Sequence, residues 1–267
     1  MTVLVQTKGR VRIISINRPG VRNAVNPDTA AALYEAFVTF DADEGVDVAI
    51  LTGGQTTFCS GFDLKAAAGN LGADWQNAIA IPPDWQDAQA QPIPAPMGPS
   101  RLMLSKPVIA AVEGHAVAGG LELVAWCDMR VASKEAVFGV FCRRWGVPLI
   151  DGGTVRLPRI LGQGRANDLI LTGRPVSGQE AQKIGLVDRL CPEGHALEEA
   201  LVLAESLTRF PPACMRADFL SARPSGAELA QALRREWASF EAFAAEGQKG
   251  AARFAAGKGR GGEFSDI

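Results

Sequence analysis

Two hydrophobic rhythms divide the chain. Up to about residue 193, short apolar runs of strand length alternate with glycine-bearing turns and amphipathic stretches; from about 194 onward apolar positions recur at helical spacing. The first rhythm predicts a hairpin from residues 3–6 and 11–16 around Lys8-Gly9. Asn17-Arg18-Pro19-Gly20 breaks it. Asn26-Pro27 predicts a helix start, with Asn as cap and Pro at the first helical position. Leu33, Phe37 and Phe40 then lay one face of that helix on a core. Strands follow over 46–51, through Phe58 and Cys59, and over 107–112 and 129–132, with an apolar helix at 121–126 between the last two. A helix through Asp168 and Leu171 stops at Gly173. Ser177-Gly178-Gln179-Glu180 reads as a capping box, Gly185 as the stop of that helix, and 186–190 as a final strand. The second rhythm predicts helices over 195–209, 212–221 and 227–246. The expectation is an α/β core over 1–193 and a helical region over 194–267.

One segment follows neither rhythm. Residues 69–100 are rich in Gly, Pro, Ala and Gln, with Trp75 and Trp85 as isolated aromatics. A weakly periodic stretch of this length is either a functional wall or lid, or an insertion without regular structure. Composition narrows the class of protein. Hydrophobic residues are 47% of the 267, the net charge is −2 and the pI about 5.8, so no basic patch announces nucleic acid or an anionic membrane. The longest apolar region, 107–127, is interrupted by Glu113, His115 and Glu122, which suits a buried element better than a membrane span. The start MTVLVQTKGR lacks the charged-then-apolar order of a signal peptide. Cys59, Cys127, Cys142, Cys191 and Cys214 are scattered without a CxxC pair, and the histidines are His115 and His195. Neither a disulfide framework nor a metal site is indicated, and a cytoplasmic enzyme with reduced thiols is expected.

The candidate chemistry lies at glycine junctions between strand and helix. In the stretch from Pro107 to Ser133, Gly119 opens a helix. Its N–H lacks an intrahelical partner, and no side chain obstructs it. That suits an anion, or a carbonyl oxygen becoming one. Glu122, one turn on, reaches the same space as a general base, or else merely offsets the helix dipole. A second such junction is Ser60-Gly61-Phe62-Asp63, where the Phe62 N–H is placed as that of Gly119 is; the alternative is an ordinary cap by Ser60 or Asp63. Asp151-Gly152-Gly153-Thr154 is a third, with Asp151 either capping the next helix or projecting into the site. No GxGxxG follows the first strand and no GxxxxGK[ST] occurs, so dinucleotide and P-loop readings are poorly supported.

Taken together, NRPGVRNAVN (17–26), FCSGFDLK (58–65), KPVIAAVEGHAVAGGLELVAWCDMRVAS (106–133), FG (138–139), GGTVRLPRILG (152–162) and LTGRPVSGQEAQKIGLVDRL (171–190) resemble the crotonase, or enoyl-CoA hydratase/isomerase, superfamily, in its order and over essentially the whole chain. The resemblance implies an α/β spiral of strand–strand–helix repeats and a helical C-terminal region that builds trimers or dimers of trimers. It also implies an acyl-CoA substrate, with coenzyme A part of the substrate and no separate cofactor. The thioester carbonyl would sit between two backbone N–H groups, here those of Phe62 and Gly119. Arg22, Asp63, Leu64 and Lys65 match the region that borders the nucleotide. Lys258 or Arg260 would meet a phosphate from a neighbouring subunit, or be solvated tail charge.

Glu122 matches one of the two hydratase acids. The other would fall at or next to Cys142, where no carboxylate stands. Cys142 reads as a small core residue lining the substrate region rather than a nucleophile. Asp151 is the compensating candidate, because the dienoyl-CoA isomerase branch carries an aspartate in the corresponding turn. The expected activity is hydration of a 2-trans-enoyl-CoA. The alternatives are double-bond isomerisation by Glu122 with Asp151, a non-catalytic acyl-CoA-binding protein and, from another class, a nicotinamide-dependent oxidoreductase.

Overall fold

The computed structural model describes residues 1–69 and 73–259. The chain opens with the antiparallel hairpin β1 (Val3–Lys8) and β2 (Val11–Ile16). Helix α1 (Pro27–Ala42) starts where predicted, with the Asn26 side chain accepting from the Thr29 N–H at 3.1 Å. Leu33, Phe37 and Phe40 are its fully buried stripe. Next come β3 (Val48–Thr52), β4 (Thr57–Cys59), α2 (Leu64–Ala68) and α3 (Ala73–Ile79), then β5 (Val108–Val112), β6 (His115–Val117), α4 (Gly119–Trp126), β7 (Met129–Ser133) and β8 (Val137–Gly139). They are followed by α5 (Gly153–Leu161), α6 (Gln163–Thr172), β9 (Val176–Ser177), α7 (Gly178–Ile184) and β10 (Arg189–Cys191). Among the described residues four helices come last: α8 (Ala196–Leu207), α9 (Pro212–Ser221), α10 (Gly226–Trp237) and α11 (Phe240–Ala255).

The strands form two sheets, one of six in the order β1-β2-β3-β5-β7-β10 and one of four in the order β4-β6-β8-β9. From β3 to β8 each successive strand goes to the other sheet, so each turn of the spiral adds one strand to both. The pairings β3–β5, β5–β7, β4–β6 and β6–β8 are all parallel. Parallel strands buried on both faces need continuous apolar runs, which is how Val48–Thr52 and Val108–Val112 read. The main core joins α1, α4 and the sheets. Helix α8 closes the other side of the large sheet, with Ala196, Ala200 and Leu203 against Val48, Ile50, Ile109 and Val131.

Three predicted elements differ. Residues 114–118 carry the short strand β6, because His115–Val117 pair with both β4 and β8. The last strand begins at Arg189, not Leu186, because the Leu186 and Val187 N–H groups are taken by the Ala181 carbonyl in closing α7. The helix over 227–246 is two helices. At the break the Ser239 hydroxyl and N–H both turn back to the Glu236 carbonyl, competing with the helical ladder, and Trp237 stacks on Phe240 at 4.7 Å.

Within the segment 69–100, residues 70–72 lie outside the described residues, as does Arg260. The rest is packed. Trp85 is fully buried and donates from its indole N–H to the Gln91 carbonyl at 2.6 Å, and Ala88 donates to the Gly226 carbonyl at 3.0 Å. Trp85, Ala88, Met103, Val155, Ala230 and Leu233 form a separate cluster that joins this segment to α5 and α10. No described helix is long and apolar enough to cross a membrane.

The Phe37 ring is fully buried and meets Trp126 edge-on at 4.8 Å, tying α1 to α4. Phe37→Ala is expected to lower stability by about 3–5 kcal/mol through the cavity it leaves, read as a fall in the urea midpoint without a change in slope.

Candidate active site

The predicted glycine junctions converge at the start of α4. Gly61 takes φ +96°, and a Cβ there would lie 3.0 Å from the Gly119 nitrogen and 2.9 Å from the Ala118 Cβ. The first and second junctions are therefore in contact, which only glycine at 61 allows. Ala118 holds φ +53°, ψ −126°, a conformation costly for a residue with a Cβ. Its N–H is fixed by the Gly139 carbonyl at 2.9 Å. Among the described residues no protein group accepts from the Phe62 or the Gly119 N–H. The Phe62 ring packs on Trp75 at 5.3 Å, and the Met97 side chain lies directly over Gly119.

The residues expected near a nucleotide divide. Asp63 is occupied within the protein: Oδ1 caps α2 by accepting from the Lys65 and Ala66 N–H groups, and Oδ2 pairs with Arg18 at 3.0 Å. It is Asp63, not Ser60, that caps α2. Arg22 is exposed in the left-handed region, with its carbonyl accepting from the Ser60 N–H. Leu64 is half-buried and Lys65 exposed on the first turn of α2.

The acids meet at the third junction. Glu122 is buried, and its Oε1 accepts from the Asp151 and Gly153 N–H groups, both at 2.9 Å. Gly153 must lack a side chain, since a Cβ would stand 2.9 Å from that oxygen. Asp151 is buried too, but it does not cap α5. Its Oδ1 accepts from the Met97 N–H at 2.9 Å and from the Ser100 hydroxyl, tying the 93–101 segment to the turn. The cap comes from Glu236 on α10. Its Oε1 accepts from the Gly152 N–H at 2.6 Å; its Oε2 accepts from the Thr154 N–H at 2.9 Å and from the Thr154 hydroxyl. The four N–H groups from 151 to 154 thus go alternately to Glu122 and Glu236.

Burial pushes the Glu122 carboxyl well above the usual range, and the charges of Asp151 and Glu236 push the same way; the two N–H donors oppose them. Burial likewise raises Asp151, against the Ser100 and Met97 hydrogen bonds and the charges of Arg101 and Arg156. It raises Glu236 against the Thr154 and Gly152 donors. Arg156 donates to the Asp151 and Ser100 carbonyls, and Arg101 to those of Ile79 and Pro94. Burial lowers both guanidiniums to about 10. Cys142, on the 3-10 turn Phe141–Trp145, is buried close enough to feel Glu122; burial and that charge push its thiol up to about 12, so it holds its proton.

Sequence reasoning missed Glu236, Arg156, Arg101 and Ser100. Glu236 left one signal: it continues the buried stripe of Ala230 and Leu233, where a lone charge needs a partner. Among the described residues no group of three or more His, Cys, Asp or Glu side chains is placed to hold a metal ion.

A two-sheet spiral with a carboxylate one turn beyond a glycine junction is the arrangement of the crotonase class. The family model for enoyl-CoA hydratase/isomerase matches residues 6–259. A probable enoyl-CoA hydratase of Rhizobium meliloti is 39% identical over 259 residues, 96% of this chain and 95% of the relative. Enoyl-CoA hydratase EchA19 of Mycobacterium tuberculosis is 36% identical over 227 residues, 82% and 79% of the two chains. Among solved structures, a carnitinyl-CoA hydratase from Mycobacterium avium superposes with a TM-score of 0.80 at 29% identity, covering 96% of this chain and 95% of that one. The chain belongs to the enoyl-CoA hydratase/isomerase family.

The raised Glu122 carboxyl has a stability consequence with a defined sign. A carboxyl whose folded pKa lies above its ordinary value of 4.5 binds more protons folded than unfolded. Stability is therefore lost as pH rises from about that value through the folded pKa. Glu122→Gln keeps an oxygen for the Asp151 and Gly153 N–H groups and removes the charge. The variant is expected to melt above the parent protein at neutral pH, with the difference shrinking toward pH 4.5, in thermal unfolding scans across that range.

Proposed function

We propose that the protein adds water across the double bond of a 2-enoyl-CoA. The observation that carries this is the pairing of Glu122 with Asp151. Each carboxyl is buried and anchored through one oxygen to two donors, and among the described residues no protein donor meets Glu122 Oε2 or Asp151 Oδ2. Two held carboxyls with two unclaimed oxygens suit a reaction that takes a proton at one point and returns one at another. The hydratase names of the relatives support the same reading.

In this mechanism the thioester oxygen accepts from the Phe62 and Gly119 N–H groups, which stabilise negative charge as it develops there. Polarisation leaves the β-carbon electrophilic. The Glu122 carboxylate takes one proton from water as the oxygen bonds to that carbon. Asp151, holding the other proton, delivers it to the α-carbon as the enolate collapses. The product is a 3-hydroxyacyl-CoA, and the proton on Glu122 passes to Asp151, directly or by exchange of both acids with solvent, which restores the starting state. Burial favours the protonated form of each acid, and the two together need only one proton between them.

Isomerisation is the second reading, favoured by Cys142. A thiol pushed up to about 12 occupies the place expected for the second hydratase acid, and it neither takes nor gives a proton at neutral pH. Glu122 and Asp151 would then move one proton between two carbons of the acyl chain, with no water added.

Incubation with a 2-enoyl-CoA in deuterated water, followed by mass and NMR analysis, separates these readings. A 3-hydroxyacyl-CoA is expected. A shifted double bond with deuterium in the chain and no added water would replace hydration by isomerisation. Tight binding with no change in any enoyl-CoA would leave an acyl-CoA-binding protein. Asp151→Asn is expected to cut turnover by about 100-fold or more, on the scale of a lost general acid, while a saturated acyl-CoA binds within about twofold of the parent protein; normal turnover would sink the role given to Asp151.

A further inference from the structure

Glu236 is a buried acid that the mechanism above does not use, and it belongs to a helix far along the chain. Its two oxygens take the Gly152 N–H, the Thr154 N–H and the Thr154 hydroxyl. Between those anchors stands Gly153, whose own N–H goes to Glu122. A displacement of Gly152 or Thr154 therefore moves the donors that hold Glu122. The chain on either side of Glu236 is fixed for this purpose. Before it, Ala230 and Leu233 pack with Trp85 and Val155. After it, the helix breaks at 238–239, and the separate helix α11 packs on α2 and the 141–145 turn, with Trp145 meeting Phe254 edge-on at 5.3 Å.

We propose that Glu236 is a positioning residue for the proton-handling pair: by clamping Gly152 and Thr154 it sets the donors that hold Glu122, so that docking of the C-terminal helices and proton transfer are one structural event. This rests on the roles proposed above for Glu122 and Asp151. The groups facing Glu122 are Asp151 from the glycine turn, Glu236 from α10, Arg156 from α5 and Cys142 from the 141–145 turn. Of these Glu236 alone comes from the C-terminal helices.

The test is Glu236→Gln, which keeps the side-chain length but loses the charge and one of the two acceptor oxygens. The carbon-13 signal of the Glu122 carboxyl, assigned by its absence in Glu122→Gln, is titrated in both proteins, so this readout does not depend on turnover. The expected result has two parts. The Glu122 midpoint moves to lower pH, because a negative neighbour is gone, and kcat on the enoyl-CoA falls by about 10-fold or more, the scale of one lost charged hydrogen bond. Binding of a saturated acyl-CoA stays within about twofold, and the thermal midpoint shows that the variant is folded. An unmoved midpoint overturns the proposal even if activity falls, since that is a general loss of structure. A moved midpoint with unchanged kcat overturns it as well. If the parent protein turns over no enoyl-CoA, the reading of its function fails, and the clamp is then decided by amide hydrogen exchange at Asp151 and Gly153, which is faster in Glu236→Gln if Glu236 sets these donors and unchanged if it does not.

Discussion

The structure of the site depends on four successive backbone N–H groups at a helix start. A helix leaves its first donors without intrahelical partners, and in a buried place each must be satisfied. Here Asp151 and Gly153 donate to Glu122, while Gly152 and Thr154 donate to Glu236. Alternation of this kind requires backbone that can present successive N–H groups to opposite sides. Gly152 does this at φ +91°, and Gly153 by leaving room for the Glu122 oxygen. The glycines of the turn are thus the means by which two carboxylates from distant elements share one helix end.

That arrangement brings the charges of Glu122, Asp151 and Glu236 into a desolvated region with Arg101 and Arg156 as the facing cations. Burial favours a proton on each acid, and at Glu122 the charges of Asp151 and Glu236 add to it; the helix-start donors oppose this at Glu122 and Glu236, and Ser100 and Met97 oppose it at Asp151. The balance suits proton transfer, because an acid stabilised wholly as carboxylate has no tendency to take a proton. It also costs stability at neutral pH, because Glu122 holds its proton more tightly folded than unfolded. Arg101 is placed to limit that cost. It stacks on Trp237 at 4.5 Å and donates to the Ile79 and Pro94 carbonyls, so its charge is held near Asp151 and Glu236 by groups that are not acids.

Much of this was legible in the sequence where the signal was local. Asn26-Pro27, Ser177 with Glu180, and the apolar runs of β3 and β5 each specify their element from neighbouring residues alone. Gly61, Phe62, Gly119, Glu122 and Asp151 stood at recognisable junctions, and the structure brings those junctions together. What could not be read is what depends on residues far apart. The partner of Thr154 lies 82 positions on, at Glu236. Asp151 looked able to cap α5, yet its carboxyl turns to Met97 and Ser100, and the capping falls to an acid on another helix. β6 was missed because three residues carry no periodicity, and only the second sheet makes them a strand. The break at 238–239 was missed because Ala238-Ser239 carries no Gly or Pro to mark it, while the turn of Ser239 back to the Glu236 carbonyl shows only in the structure.

The segment between α3 and β5 is an irregular stretch held from two sides. Trp85, Met97 and Leu102 anchor it in apolar clusters, and polar groups tie it to the site. Asp151 Oδ1 takes the Met97 N–H and the Ser100 hydroxyl, Arg156 takes the Ser100 carbonyl, and Arg101 takes those of Ile79 and Pro94. Backbone groups that would otherwise be buried without partners are thereby satisfied by the same side chains that balance the acid cluster. The wall over Gly119 and the charge balance beneath it therefore stand together. Met97, over Gly119, donates its N–H to Asp151 in the turn, so the wall beside Gly119 and a buried acid of the cluster share one hydrogen bond.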